Sequence, residues 1–464
     1  LAAFLDRSHS IAGPGFSRWM VPPAALCIHL CIGQAYAFSV FNKPLAQLLC
    51  AAQHACPPAT AKAISTIPGD WSIADLGWIF SLAIVFLGLS AAVFGRWVER
   101  VGPRMAMFTA AVLFCGGLIV AGIGVTLHSL PIVFLGYGVI GGCGLGIGYI
   151  SPVSTLIKWF PDRPGLATGT AIMGFGGGAL IGAPLAVLLM KHYSSDTSNG
   201  VAPTMITMGV IYFVFMLVGP FIVRLPAPGW APAGYVAPTQ SRGLITSGNV
   251  VVSEAIKTPQ FWLLWLVLFL NVTAGIGILG QASLMVQDMF GVAVAAAAGF
   301  VGLMSLFNMG GRIFWASMSD FLGRKPTYMI FFGLGAILYA LIPTTKNIGS
   351  LGLFVAICCI ILTMYGGGFA TIPAYLRDMF GTIQVGAIHG VLLTAWSAAG
   401  IAGPVLVNYI RQYELAQGVP KADAYSVTMY IMAGLLVVGF ICNWLVSPVA
   451  ERYYVKPGAS EAVG

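Results

Sequence analysis

The apolar residues of this chain do not alternate with polar ones. They come in long runs separated by short stretches that gather most of the charges. Runs long enough to cross a bilayer, about 20 residues each, lie near 19–41, 75–95, 105–125, 131–157, 165–190, 204–224, 259–286, 297–318, 327–344, 351–374, 387–410 and 425–446. Backbone groups inside hydrocarbon have no water to bond, so such runs are predicted to be helices. The pattern predicts an all-α integral membrane protein with twelve transmembrane helices. Residues 225–258 carry many Pro and Gly residues and read as a linker. The expected organisation is a cytoplasmic tail over 1–18, a six-helix half over 19–224, a cytoplasmic central linker over 225–258, a second half over 259–446 and a cytoplasmic tail over 447–464.

Composition agrees with this reading. Of 464 residues, 58% are hydrophobic and 8% charged, against about 25% charged in soluble domains. The first 18 residues are polar and short, with no cleavable signal pattern, and the apolar run from Trp19 is long enough to stay as a span. The net charge of +8 does not point to nucleic acid, because the basic residues are scattered singly between apolar runs. They follow the positive-inside rule instead. With both termini cytoplasmic, fifteen of the 22 Lys and Arg residues fall inside, six outside, and Arg312 alone within a span. The outer loop 44–74 holds Cys50 and Cys56, a candidate disulfide if that side is oxidising.

The chain also repeats itself. Glu99 and Gly102 of the segment Gly95–Arg104 recur as Asp320 and Gly323, each 221 positions on. Pro152 recurs as Pro373 at the same offset, and Pro184 as Pro404 at 220. Two homologous halves related by an axis along the membrane normal follow from this, with substrate expected between them near mid-membrane.

The acid, glycine and basic residues of the two tight loops resemble the signature of the major facilitator superfamily and its second-half copy. The resemblance implies a gate. In it Glu99 is expected to pair with Arg100 or Arg104, with Asp320 and Arg324 as the second-half counterparts, and to hold the halves together in one state. The plain alternative is a loop turn with topology charges. Phe321 stands where the second copy should carry an arginine, so that clamp is expected to be the weaker.

Within the superfamily, the runs Gly33–Phe38, Lys158–Arg163, Asn308–Arg312 and Leu393–Trp396 resemble the oxalate:formate antiporter family, which takes in bacterial monocarboxylate carriers. All 14 acidic residues fall in loops or at helix ends, so no carboxylate neutralises Arg312 in mid-membrane. Such an arginine costs at least about 2.5–3.5 kcal/mol and usually lines a pathway. Its planar fork matches a carboxylate. A structural arginine bonded to carbonyls, or one nearer the interface, is the alternative. In the family, an arginine at this place binds the substrate carboxylate.

Asn308 lies one turn earlier on the same face, where the related proton-coupled carriers of animals have an aspartate. An asparagine cannot titrate, and a site that stays cationic when empty hinders return of the unloaded carrier. Both points favour anion exchange. His29 is able to carry a proton, so proton-coupled symport stays open, as does a carboxylate-binding sensor that transports nothing. His29 and Tyr36 share a face of the first span and are candidate substrate contacts, with a histidine bonded within the helix bundle as the plain alternative for His29. Tyr149, Tyr365 and Phe369 would line a cage in the family's arrangement, although each alone reads as packing.

The family's oxalate exchanger has a lysine where this chain has Trp396. A dianion would face a single cation, so a monocarboxylate such as formate, lactate or pyruvate is expected over oxalate. The glycine runs 141–148 and 174–178 lack a P-loop lysine and read as close helix contacts. No cofactor, metal cluster or nucleophile–base pair is expected, so the chain does not read as an enzyme. Its expected partners are small carboxylate anions and the bilayer, with protons as the alternative coupling ion. The resemblance implies a monomer in a bacterial inner membrane.

Overall fold

The computed structural model describes residues 2–49, 69–236 and 243–455. Cys50 and Cys56 lie outside the described residues. The chain forms α1 (Val21–Ile32, continued by the 3-10 turn Gly33–Ala37), α2 (Ile73–Val101), α3 (Pro103–Thr126), α4 (Leu130–Trp159), α5 (Pro164–Tyr193) and α6 (Val201–Ile222). The second set is α7 (Pro259–Phe290), α8 (Val294–Leu322), α9 (Arg324–Asn347), α10 (Leu351–Phe380), α11 (Val385–Ala416) and α12 (Ser426–Leu445). Among the described residues, eleven of them are long and apolar enough to cross a membrane. The other, α8, carries Asn308 and Arg312 and matches α2 in length at 29 residues.

The repeat read from a few residues extends to whole helices. Helices α2, α3 and α4 begin and end 221 positions before α8, α9 and α10. The tight turns are set by Gly102 (φ +81°) and Gly323 (φ +88°), both in a region that side chains rarely tolerate. Each glycine ends one helix and leads into the next, which turns the chain back within a single residue.

Across the halves, α5 packs on α8 and α11 on α2, two contacts related by the same repeat. Residues such as Val93, Leu188, Val214 and Trp444 point outwards, where lipid would cover them. Gln34, Asn271, Asn308, Arg312 and His389 are buried inside. The protein is thus a multi-pass membrane protein with its polar groups turned inwards, as expected where lipid cannot bond them.

The described parts of both tails lie on the face that carries the Gly102 and Gly323 turns, called here the signature face, with Lys325 donating to the Val446 carbonyl at 2.8 Å. Arg104 donates to the Phe4 carbonyl at 2.9 Å. Ser10 and Ala12 pair with the backbone of Leu225 at 2.7 and 2.8 Å. The later part of the linker is also pinned, with Thr246 and Val250 donating to the carbonyls of Asp378 and Phe380 at 2.8 Å. Arg18 grips Asp162 with two bonds, of 2.6 and 2.9 Å. Burial opposes ionisation of Asp162, but the Arg18 fork outweighs it and holds the carboxyl below its usual range.

Candidate functional site, a caged arginine between the halves

Arg312 projects from the middle of α8 and is fully buried, at 0% exposure. Its Nε donates to Asn308 Oδ1 and its Nη1 to the Ile172 carbonyl of α5, both at a long 3.3 Å. Nη2 has no partner, and no ion pair reaches Arg312 among the described residues. The guanidinium lies 5.8 Å from the Phe175 ring centre and 5.2 Å from that of Phe369. Those faces offset part of the cost of burying a cation.

Room for the arginine comes from missing side chains. A methyl on Gly176 would stand 2.8 Å from Arg312 Nε, and one on Gly366 only 2.3 Å from the Asn308 carbonyl oxygen. The expected cost of Gly366→Ala is about 1–3 kcal/mol of overpacking. It should appear as a lower melting temperature of the purified protein. Gly310→Ala, where a methyl meets nothing within 4 Å, should melt as the unaltered chain does.

The aromatic candidates meet around this arginine. Tyr36 of α1 shares a 3.2 Å hydrogen bond with Tyr365 of α10, a bond that crosses the halves. Tyr365 packs edge-on against Phe369 at 5.3 Å, and Phe369 lies 4.5 Å from Trp396. Trp396 also lies 5.4 Å from Tyr149, while His29 is 5.4 Å from Tyr149 on another side. All eight candidates, His29, Tyr36, Tyr149, Asn308, Arg312, Tyr365, Phe369 and Trp396, therefore fall in one cluster at the interface of the halves.

Two members were not legible beforehand. Phe175 touches Tyr36, Tyr149 and Trp396 at 5.1–5.5 Å. Its signal was present, as the one bulky residue in the glycine run 174–178. His389 of α11 lies 5.8 Å from Tyr149 and is buried. It was detectable as an ionisable residue inside the eleventh apolar run. Five buried polar atoms in this cluster lack partners: Arg312 Nη2, Tyr149 Oη, Trp396 Nε1, His29 Nε2 and His389 Nε2. Three of them are donors, so the cage is poorer in acceptors than in donors.

On the signature face the ion pairs differ from the expected ones. Glu99 does not pair with Arg100 or Arg104. It is bound by Lys158 of α4, while its Oε1 accepts from Ser154 Oγ at 2.6 Å and from the Gly386 N–H at 2.9 Å. The reason is direction. Arg104 turns to Phe4, donating to its carbonyl and lying over its ring at 4.4 Å, which leaves Lys158 as the cation facing Glu99.

The second clamp is not the weaker one. Asp320 accepts from the N–H groups of Gly165 and Leu166 at 2.9 Å each, and pairs with Arg324 at 2.6 Å. Arg324 also binds Ser319 and Asp378. The absent arginine does not matter, since Phe321 faces outwards at 83% exposure. Each acid thus meets the N-terminus of a helix in the other half, Glu99 at α11 and Asp320 at α5. Free amides and the helix dipole favour a carboxylate there.

A two-fold repeat of membrane helices enclosing a polar cage at the repeat interface is the architecture of a secondary transporter. The chain belongs to the Major Facilitator Superfamily, whose family model matches residues 16–404, and it is a transporter rather than an enzyme. It is 30% identical over 335 residues to the oxalate:formate antiporter of Oxalobacter formigenes, covering 72% of this chain and 75% of that protein. It is 23% identical over 447 residues to apicoplast pyruvate carrier 1 of Toxoplasma gondii, covering 84% and 78%. Among solved structures, the human organic anion transporter MFSD10 matches with a TM-score of 0.64 at 16% identity, covering 93% of this chain and 100% of that one. That last likeness speaks for the fold alone.

Proposed function

We propose that this transporter exchanges one small monocarboxylate anion for another by alternating access, with Arg312 as the group that binds the carboxylate. The observation that carries this reading is the state of Arg312: fully buried, held by two long bonds to neutral oxygens, with Nη2 unbonded. A carboxylate would satisfy the charge and the free N–H groups together. The aromatic walls exclude water and strengthen that pairing. The relatives named for an oxalate:formate antiporter and a pyruvate carrier support a small carboxylate as cargo.

Trp396 argues for a single negative charge, because the cage offers one permanent cation. Trp396→Lys is therefore expected to add oxalate as a substrate and to weaken exchange of lactate. Uptake of labelled oxalate into proteoliposomes preloaded with oxalate checks this. Oxalate bound more tightly than lactate by the unaltered chain would contradict it.

The test of the main reading is uptake of labelled lactate into proteoliposomes, either empty or preloaded with formate, lactate or oxalate. Exchange requires strong stimulation by a preloaded monocarboxylate and its loss in Arg312→Ala. The second reading, proton symport, draws on two buried histidines beside the cage, His29 and His389. It requires uptake into empty vesicles driven by an inward proton gradient. The signature face is proposed to be cytoplasmic, since the basic loops and both tails share it. Glu99, Lys158, Asp320 and Arg324 are proposed to form the gate on that side of a bacterial inner membrane, in a protein working as a monomer.

A further inference from the structure

The cage holds more unbonded polar groups than one carboxylate can use. Building on the monocarboxylate reading above, we propose that His29, Tyr149 and His389 form a second, neutral pole. This pole recognises an oxygen on the carbon next to the carboxylate, and His389 acts as a specificity-determining residue. Preferred cargo then carries a 2-hydroxy group, and unsubstituted monocarboxylates bind less well.

All three side chains are buried, at 0–1% exposure. The two imidazole rings flank the Tyr149 ring at 5.4 and 5.8 Å. His29 Nδ1 meets the Ala25 carbonyl at 3.1 Å. A carbonyl only accepts, so Nδ1 carries the proton of that bond and the ring is held in one orientation. The outer atoms, His29 Nε2, Tyr149 Oη and His389 Nε2, have no partners. Buried polar atoms are rarely left so, and three around one ring call for a ligand with a polar group of its own.

The position of this pole limits where that group sits. Tyr149 and the Arg312 guanidinium share a neighbour, the Phe175 ring, at 5.5 and 5.8 Å, and the Tyr149 hydroxyl makes no hydrogen bond. With the carboxylate on Arg312, the oxygen assigned to Tyr149 is the one on the adjacent carbon, the first position beyond the carboxylate itself. Its charge is limited as well. His29 Nε2, left with a lone pair, accepts from a hydroxyl, and the Tyr149 phenol donates to the same oxygen, whereas a second carboxylate would need a second cation. His29 and Tyr149 belong to the first half and His389 to the second, so such a ligand bonds both halves at once.

The test compares lactate with propionate, which has the same carbon chain and charge but no hydroxyl. Binding of each to the full chain in detergent is measured by calorimetry. Lactate is expected to bind about tenfold tighter or more, the scale of one buried hydrogen bond. In His389→Phe and in Tyr149→Phe the lactate affinity should fall towards that of propionate, so that the ratio of the two approaches one. His389→Gln, which keeps a polar head, should retain part of the preference. If His389→Phe does not fold, His389→Gln and Tyr149→Phe decide the matter by the same ratio. Equal binding of lactate and propionate to the unaltered chain would overturn the second pole and leave the monocarboxylate reading standing. Equal loss of both ligands in the variants would make these residues structural and overturn it too. Absence of binding by every monocarboxylate would sink both readings.

Discussion

Replacing Arg312 by methionine is expected to abolish carboxylate binding while raising the melting temperature of the empty protein. The two effects have one cause. The guanidinium is fully buried, and its partners are two neutral oxygens at 3.3 Å and two aromatic faces. Removing a charge from water costs several kcal/mol, and an uncharged side chain of similar size often leaves a protein more stable. On the proposed function, the empty carrier bears that cost because the bound anion repays it. Loss of a buried charge partner costs a ligand about 2–5 kcal/mol, so affinity should fall by about 30-fold or more. Arg312→Lys keeps the charge but not the flat fork, and it should also lose most exchange. Melting curves with and without lactate, together with vesicle counterflow, check all three statements. A variant Arg312→Met that melts lower and still exchanges lactate would move the site elsewhere.

Asp320→Asn is expected to loosen closure at the signature face more than Glu99→Gln does. Asp320 takes two N–H bonds from the other half, at Gly165 and Leu166, whereas Glu99 takes one, at Gly386. Hydrogen bonds to a charged group are worth about 1.5–3 kcal/mol each. Weakening them should raise the open population by about 10-fold or more where closure depends on them. Hydrogen exchange at the start of α5 and of α11 reads this directly. Asp320→Asn should speed exchange at Gly165 and Leu166, and Glu99→Gln at Gly386 to a smaller extent. Unchanged protection in Asp320→Asn would show that apolar contacts of α5 with α8 close this face without the carboxylate.

Both variants probe a feature that was half visible beforehand. The turn residues Gly102 and Gly323 announce themselves in sequence, because a reversal within one residue needs a conformation that only glycine adopts with ease. The acids beside them were visible too. Their partners were not, since Lys158 is 59 positions from Glu99, and Gly165 is 155 from Asp320. Neighbouring basic residues looked like the natural partners, but Arg104 turns away to Phe4.

The sequence by itself determined the number of spans, the two-fold repeat and the place of Arg312 inside a span with no acid beside it. Each of these rests on properties that act locally or at a fixed period: the length of an apolar run, a recurring turn, a charge with no acid in its own stretch. The tertiary structure decided which helices cross and therefore which side chains meet. It brought Phe175 from a glycine-rich helix to the arginine, and His389 from the eleventh span to Tyr149. Close approach of α5 to α8 depends on glycines seated opposite bulky groups of another helix, and that match is made only when the two halves pack.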